Sequence, residues 1–146
     1  MGTLDIRLSG KVTLDLPSFF SPAVEQSGDG LTTKLLIGGE WRPATGGEVF
    51  EDRSPIDGSV VARAAKGTAE DVTAAIEAAR DARAEFRGLP AAARLEICQR
   101  AAAILEDHAD TFVDAIVVDL GQTPEQARSE VNATRERLGL VREEVR

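Results

Sequence analysis

The hydrophobic period of this chain changes at Gly67, and that change limits the folds open to it. Before Gly67, apolar residues alternate with polar ones in short runs separated by glycine, as half-buried strands require. After it, apolar residues recur three and four positions apart, as on one face of an amphipathic helix. The pattern predicts an α/β chain in which β-hairpins come first and amphipathic helices follow. At 146 residues it has the length of about one domain, enough to bury a real core.

In the strand-like part, Leu4, Ile6 and Leu8 alternate with polar neighbours, as do Val12, Leu14 and Leu16. Ser9-Gly10 between them reads as a two-residue hairpin turn. Residues 17–34, with two Pro, two Gly and several Ser or Thr, read as a loop or linker. Phe19-Phe20 within it need a surface to dock on. The chain thus divides into an N-terminal extension, residues 1–34, and a main part, residues 35–146. Leu35-Leu36-Ile37, Gly38-Gly39 and Glu40-Trp41-Arg42 predict a second hairpin, and Ala44-Thr45-Gly46-Gly47 a turn. Val49–Asp52 and Ser59–Ala64 predict strands around the reversal Pro55-Ile56-Asp57-Gly58.

Thr68 is a good helix N-cap, with Glu70 and Asp71 in the first turn, where the helix dipole favours carboxylates. Val72, Ala75, Ile76, Ala79, Ala82 and Phe86 mark one face until Gly88-Leu89-Pro90 breaks the helix. A second pattern, Leu95, Cys98, Ala102, Leu105, Ala109, Phe112, Ile116 and Leu120, is too long for one helix. It predicts a break near Asp107-His108-Ala109-Asp110 and a C-cap at Gly121. Thr123-Pro124-Glu125-Gln126 combines an N-cap, Pro at the first helical position and Gln for a capping box. The last helix then runs on Ala127, Val131, Thr134, Leu138, Val141 and Val145, with no stop signal before Arg146. That pattern predicts a continuation beyond the last residue.

The composition excludes several function classes. A net charge of -8 without a dense basic patch argues against nucleic acid as a partner. No apolar run approaches the roughly 20 residues of a membrane span. The first sixteen residues lack the form of a secretory signal, which points to the reducing cytoplasm. One Cys and one His supply neither an internal disulfide nor an ordinary zinc site. Cys98, mid-helix on the apolar face, reads as a small core residue; an activated thiol needs a cation, a base or a helix N-terminus beside it. His108 reads as a surface or capping residue at the helix break. Gly28-Asp29-Gly30 neither follows a clear strand nor opens a helix, so it is no phosphate loop. The acidic residues read as single charges on solvated helix faces. The residues by themselves therefore assign no catalytic and no cofactor-binding position.

The order of these elements resembles the N-terminal portion of the aldehyde dehydrogenase superfamily, over roughly residues 35–146. Ile37-Gly38-Gly39-Glu40-Trp41 is similar to that family's first hairpin, with Gly38 in place of a common Asn. Phe50 and Ser54-Pro55-Ile56-Asp57-Gly58 resemble its Asn-Pro-x-x-Gly turn, with Ser54 replacing Asn. Thr68-Ala69-Glu70-Asp71-Val72, Ala75-Ile76, Ala78-Ala79 and Phe86 resemble its first helix. Pro90, Arg94-Leu95, Arg100-Ala101-Ala102 and Ile104-Leu105 resemble its second. Asp119-Leu120-Gly121-Gln122 stands where members carry Gly-Lys, with Gln122 for Lys, and Ala127-Arg128-Ser129-Glu130-Val131 continues in register. The Ser-Pro-Ile-Asp form of the turn is similar to the branch that oxidises glyceraldehyde 3-phosphate without phosphate.

The resemblance implies an aldehyde dehydrogenase-like α/β fold whose Rossmann core lies outside this chain. For a complete enzyme it implies thiolate attack on an aldehyde, hydride transfer to NAD or NADP, release of the acid by a Glu-activated water, and a homo-oligomer. None of those catalytic or cofactor-binding groups maps onto residues 1–146, so this part is expected to be catalytically incompetent and to need the remainder of the fold as its partner. One position does carry over: Asp119 matches a site that in some members helps hold a structural monovalent cation, with backbone carbonyls near Asp52 and Arg53. An ordinary exposed Asp is the competing reading. A second function also stays open, a non-catalytic acidic helical assembly or binding module.

Overall fold

The computed structural model describes residues 3–8, 12–27 and 30–140. Strand β1 (Thr3–Leu8) pairs antiparallel with β2 (Val12–Pro17), setting Leu4 opposite Leu16, Ile6 opposite Leu14 and Leu8 opposite Val12. The register leaves residues 9–11 between the paired ends; these, with the Ser9-Gly10 turn, lie outside the described residues.

Residues 17–34 correct the expectation of a loop. They form a 3-10 helix (Ser18–Ala23) and an antiparallel hairpin of β3 (Val24–Ser27) and β4 (Gly30–Thr33). The turn-forming residues mark where these short pieces end. Long-range pairing then makes strand of what local composition leaves undecided. Phe20 is half-buried.

The second hairpin forms as expected: β5 (Leu35–Ile37) pairs with β6 (Glu40–Arg42). Its two-residue turn puts both Gly38 and Gly39 at positive φ, 62° and 84°, the geometry that matches strand twist. Strands β7 (Val49–Arg53) and β8 (Val60–Ala65) pair antiparallel, with an irregularity between Asp52 and Arg53. Strand β4 adds to the other side of β8 in parallel, so one sheet runs β3-β4-β8-β7.

Four helices follow: α1 (Ala69–Gly88), α2 (Ala91–Asp107), α3 (Ala109–Leu120) and α4 (Pro124–Leu140). The expected break falls at His108, and Gly121 ends α3 in the left-handed region at φ 67°. Thr123 and Gln126 form the reciprocal capping box of α4: Gln126 N–H donates to Thr123 Oγ1 at 3.3 Å, and Thr123 N–H to Gln126 Oε1 at 3.2 Å. Val141 and Val145 lie outside the described residues.

Among the described residues, two small buried clusters stand out. Leu31 of β4 and Val61 of β8 are buried against Val24, Ala62 and the α3 residues Ala115 and Val118. Val113 of α3 and Ala127 and Val131 of α4 form the other, with Leu105, Ala109, Phe112, Ile116 and Val117 around them. The apolar face of α1 joins neither: Val72, Ile76 and Phe86 are exposed. No helix among the described residues is long and apolar enough to cross a membrane.

Candidate functional site

Asp119 lies in the last turn of α3, and the chain reverses at Gly121 against the β7–β8 turn. A Cβ at Gly121 would sit 2.8 Å from Pro55 Cγ, so glycine is needed for space as well as for its φ. The turn facing it is rigidly built. Gly58 N–H donates to Ser54 O at 2.8 Å, and Ser54 N–H to Ser59 O at 2.9 Å. Asp57 Oδ1 accepts from Ser59 N–H at 3.0 Å and from its hydroxyl at 2.6 Å, while Arg53 donates to Gly58 O at 2.9 Å. Ser54, at the position of the family's Asn, is buried, and its Oγ accepts from Ile56 N–H at 3.4 Å.

This docking brings Asp119 against Asp52 of β7. Burial raises the Asp119 pKa to about 6, helped by a hydrogen bond with the Asp52 carboxyl and then by its charge. The reading of the acidic residues as single solvated charges is thereby corrected for this pair, because strand and helix converge here from positions far apart in sequence. Asp119 also sits at the negative end of the α3 dipole, which further disfavours its charged form. Two carboxyl groups held side by side are hard oxygen donors of the kind that bind a cation. Among the described residues, no cluster of three or more His, Cys, Asp or Glu is placed to hold a metal ion.

A second acidic residue was misread in the same way. Asp71 is 2% exposed and ties three segments together. Its Oδ1 accepts from the Thr45 hydroxyl at 2.7 Å, and its Oδ2 from Thr45 N–H at 3.0 Å and Thr68 N–H at 2.9 Å. Arg42 of β6 stands 3.6 Å away. The Thr45 hydroxyl, then the Thr68 and Thr45 backbone donors, hold its carboxyl far below the usual carboxylate range. The Thr68 cap and Asp71's place in the first turn were legible; its capping-box bond back to Thr68 was not foreseen, and the Thr45 contacts were not legible because they cross 26 positions of sequence.

The other singled-out residues stay apart. Cys98 is a free, half-buried thiol on α2. His108 is half-buried at the helix break, where its side chain makes no capping hydrogen bond; its backbone bridges the helices instead, donating to Ile104 O at 3.2 Å. It lines an open cleft of about 530 Å³ with Glu106, Asp107, Asp110 and Arg128, the last paired with Asp110. Gln122, at the family's Lys position, donates to Glu130 at 2.7 Å.

The comparisons with known proteins agree with this architecture. A model of the aldehyde dehydrogenase family matches residues 41–146, so the chain belongs to that family, and to its N-terminal portion. Vanillin dehydrogenase of Corynebacterium glutamicum is 38% identical over 99 residues, which cover 68% of this chain and 20% of that protein. D-glyceraldehyde dehydrogenase (NADP(+)) of Thermoplasma acidophilum is 31% identical over 102 residues, 70% of this chain and 21% of that one. The crystal structure of an NAD-dependent benzaldehyde dehydrogenase from Corynebacterium glutamicum superposes with TM-score 0.67 at 36% identity, over 74% of this chain and 24% of that one. The chain thus spans about a fifth of the length of the curated relatives it matches.

Proposed function

We propose that the chain is the N-terminal segment of an NAD(P)-dependent aldehyde dehydrogenase that oxidises an aldehyde to a carboxylic acid, and that residues 1–146 alone are catalytically incompetent. The observation that carries this reading is the family match across residues 41–146, which spans β6 to α4 in order. The relatives' names include an aromatic and a hydroxylated aldehyde, so the class of reaction is what they share. The nicotinamide cofactor belongs to the remainder of the fold, which we take to be the partner of the open α1 face. A homo-oligomer in the reducing cytoplasm completes the reading; the free thiol of Cys98 suits that compartment. We also assign Asp119, with Asp52 and nearby backbone carbonyls, to a structural monovalent cation. The division at residue 34 fits a family match that begins at residue 41.

The test joins residues 1–146 to the C-terminal four-fifths of the Corynebacterium vanillin dehydrogenase. The chimera should reduce NAD(P) with an aromatic aldehyde, while the 146-residue chain alone neither turns over nor binds cofactor in a calorimeter. A folded but inactive chimera, or activity in the chain alone, overturns the reading. A non-catalytic assembly module is the second reading, favoured by the exposed face of α1. It predicts the inactive chimera.

A further inference from the structure

Strands β3 and β4 precede the family match, yet they belong to the same sheet as β7 and β8, which lie within it. We propose that this hairpin is a built-in edge cover: β4 occupies the second side of β8, and Leu31 plugs the apolar slot between Val61 and α3. On this side the sheet then ends on the short strand β3 instead of an open edge of β8.

Strand β8 has two sides. On one, β7 pairs antiparallel. Without β4, the other would present unpaired backbone groups beside the buried Val61, a ready template for strand addition. Strand β4 fills it in parallel, with Thr32 opposite Arg63 and Thr33 opposite Ala64. The backbone pairing is short, so most of the hold must come from side chains. Leu31 is 6% exposed and Val61 5%, and Ala115 and Val118 of α3 close over them. Two of the six residues in this cluster, Leu31 and Val24, come from before the family match, and the other four from within it.

The outer strand β3 has four residues, Val24, Glu25, Gln26 and Ser27. Glu25 ion-pairs with Lys34 at 2.8 Å and stays largely in solvent, and a short charged edge resists further pairing. The hairpin base is locked where Lys34 N–H donates to Ala23 O at 2.8 Å. Lys34 alone separates β4 from β5, so the cover is joined directly to the start of the main part of the chain.

The test uses the whole 146-residue chain with Leu31→Asp and the milder Leu31→Ala, read by hydrogen exchange. The β8 amides that face β4 should exchange faster by about two orders of magnitude in Leu31→Asp, while α4 amides keep their protection. Self-association should rise above that of the unaltered chain. A synthetic peptide of residues 23–34 should restore β8 protection, and the same peptide carrying Leu31→Asp should not. Leu31→Ala should show a smaller change confined to the same amides, and it decides the matter if Leu31→Asp fails to fold. Unchanged β8 protection, equal loss across α4, or failure of the unaltered peptide to rescue would overturn the proposal. None of these readouts depends on enzymatic activity.

Discussion

Helices α1 and α4 begin alike and end up in different surroundings. Each opens with a Thr cap in a reciprocal capping box, and each carries apolar residues at helical spacing. In α4 the inward residues are covered, with Ala127 at 0% and Val131 at 4% exposure. In α1 the corresponding stripe is open, with Val72 at 57%, Ile76 at 55% and Phe86 at 52%. Helix α4 is held along its length by α3 and α2, whereas α1 is held at its N-terminus by the polar contacts of Asp71 and along β5. An amphipathic stripe therefore states that a helix face seeks a partner, and the rest of the fold decides whether it finds one.

The sharpest way to break this comparison is to charge both faces in turn. Val113, 5% exposed on α3, packs directly on the α4 residues. Val113→Asp would bury an unpaired carboxylate there, costing about 3–5 kcal/mol, a large part of the stability of a small domain. Urea melts should show most of the folded signal lost. A small shift would mean that the helical core is far looser than its burial indicates.

The turn that leads into α4 comes next. Gly121→Ala puts a methyl at positive φ and against the Pro55 ring, 2.8 Å from Cγ. The left-handed conformation costs about 1 kcal/mol for a non-glycine residue, and the overlap brings the expected loss to roughly 2 kcal/mol. Thermal denaturation measures it, and a loss below half of that would show that the turn yields freely.

A smaller effect of opposite sign is expected at Asp119. Its folded pKa is raised, so the folded chain binds more protons than the unfolded one between about pH 4 and pH 6, and stability falls as pH rises through that window. Asp119→Asn removes the cost of burying the charged carboxylate and, with it, the repulsion with Asp52. It should stabilise the chain by about 1–2 kcal/mol above pH 6, measured without added monovalent salt, and have little effect below pH 4. Melts across that range check the sign. If sodium or potassium stabilises the unaltered chain and leaves Asp119→Asn untouched, the cation assignment gains direct support.

Local signals foretold the caps at Thr68 and Thr123, the break at His108, the Gly38-Gly39 turn and the left-handed Gly121, because each depends on residues a few positions apart. The missed features all depend on distant partners. Residues 24–27 and 30–33 became strand because β8 and α3 bury Leu31. Asp71 became a buried node because Thr45 reaches it, and Asp119 met Asp52 because α3 ends on the β7–β8 turn. The family resemblance was readable for a different reason: it rests on several short motifs in fixed order, none of which needs a tertiary contact to be seen.

The smallest expected effect tests the open face itself. Ile76 is more than half exposed in the middle of α1, so a charge there is neither desolvated nor unpaired from water. Ile76→Asp should change stability by less than about 0.5 kcal/mol, as exposed surface substitutions do, against several kcal/mol for Val113→Asp. The same change interrupts the apolar stripe between Val72 and Phe86. It should therefore lower the binding of an apolar-surface dye and any concentration-dependent association, since both draw on contiguous apolar area. In the chimera with the remaining four-fifths of a dehydrogenase, the result should reverse. Once a partner surface covers α1, Ile76→Asp would bury a charge and cost as much as Val113→Asp does in the short chain. A large loss already in the 146-residue chain would mean that α1 is covered by this chain alone, and the difference between α1 and α4 would disappear.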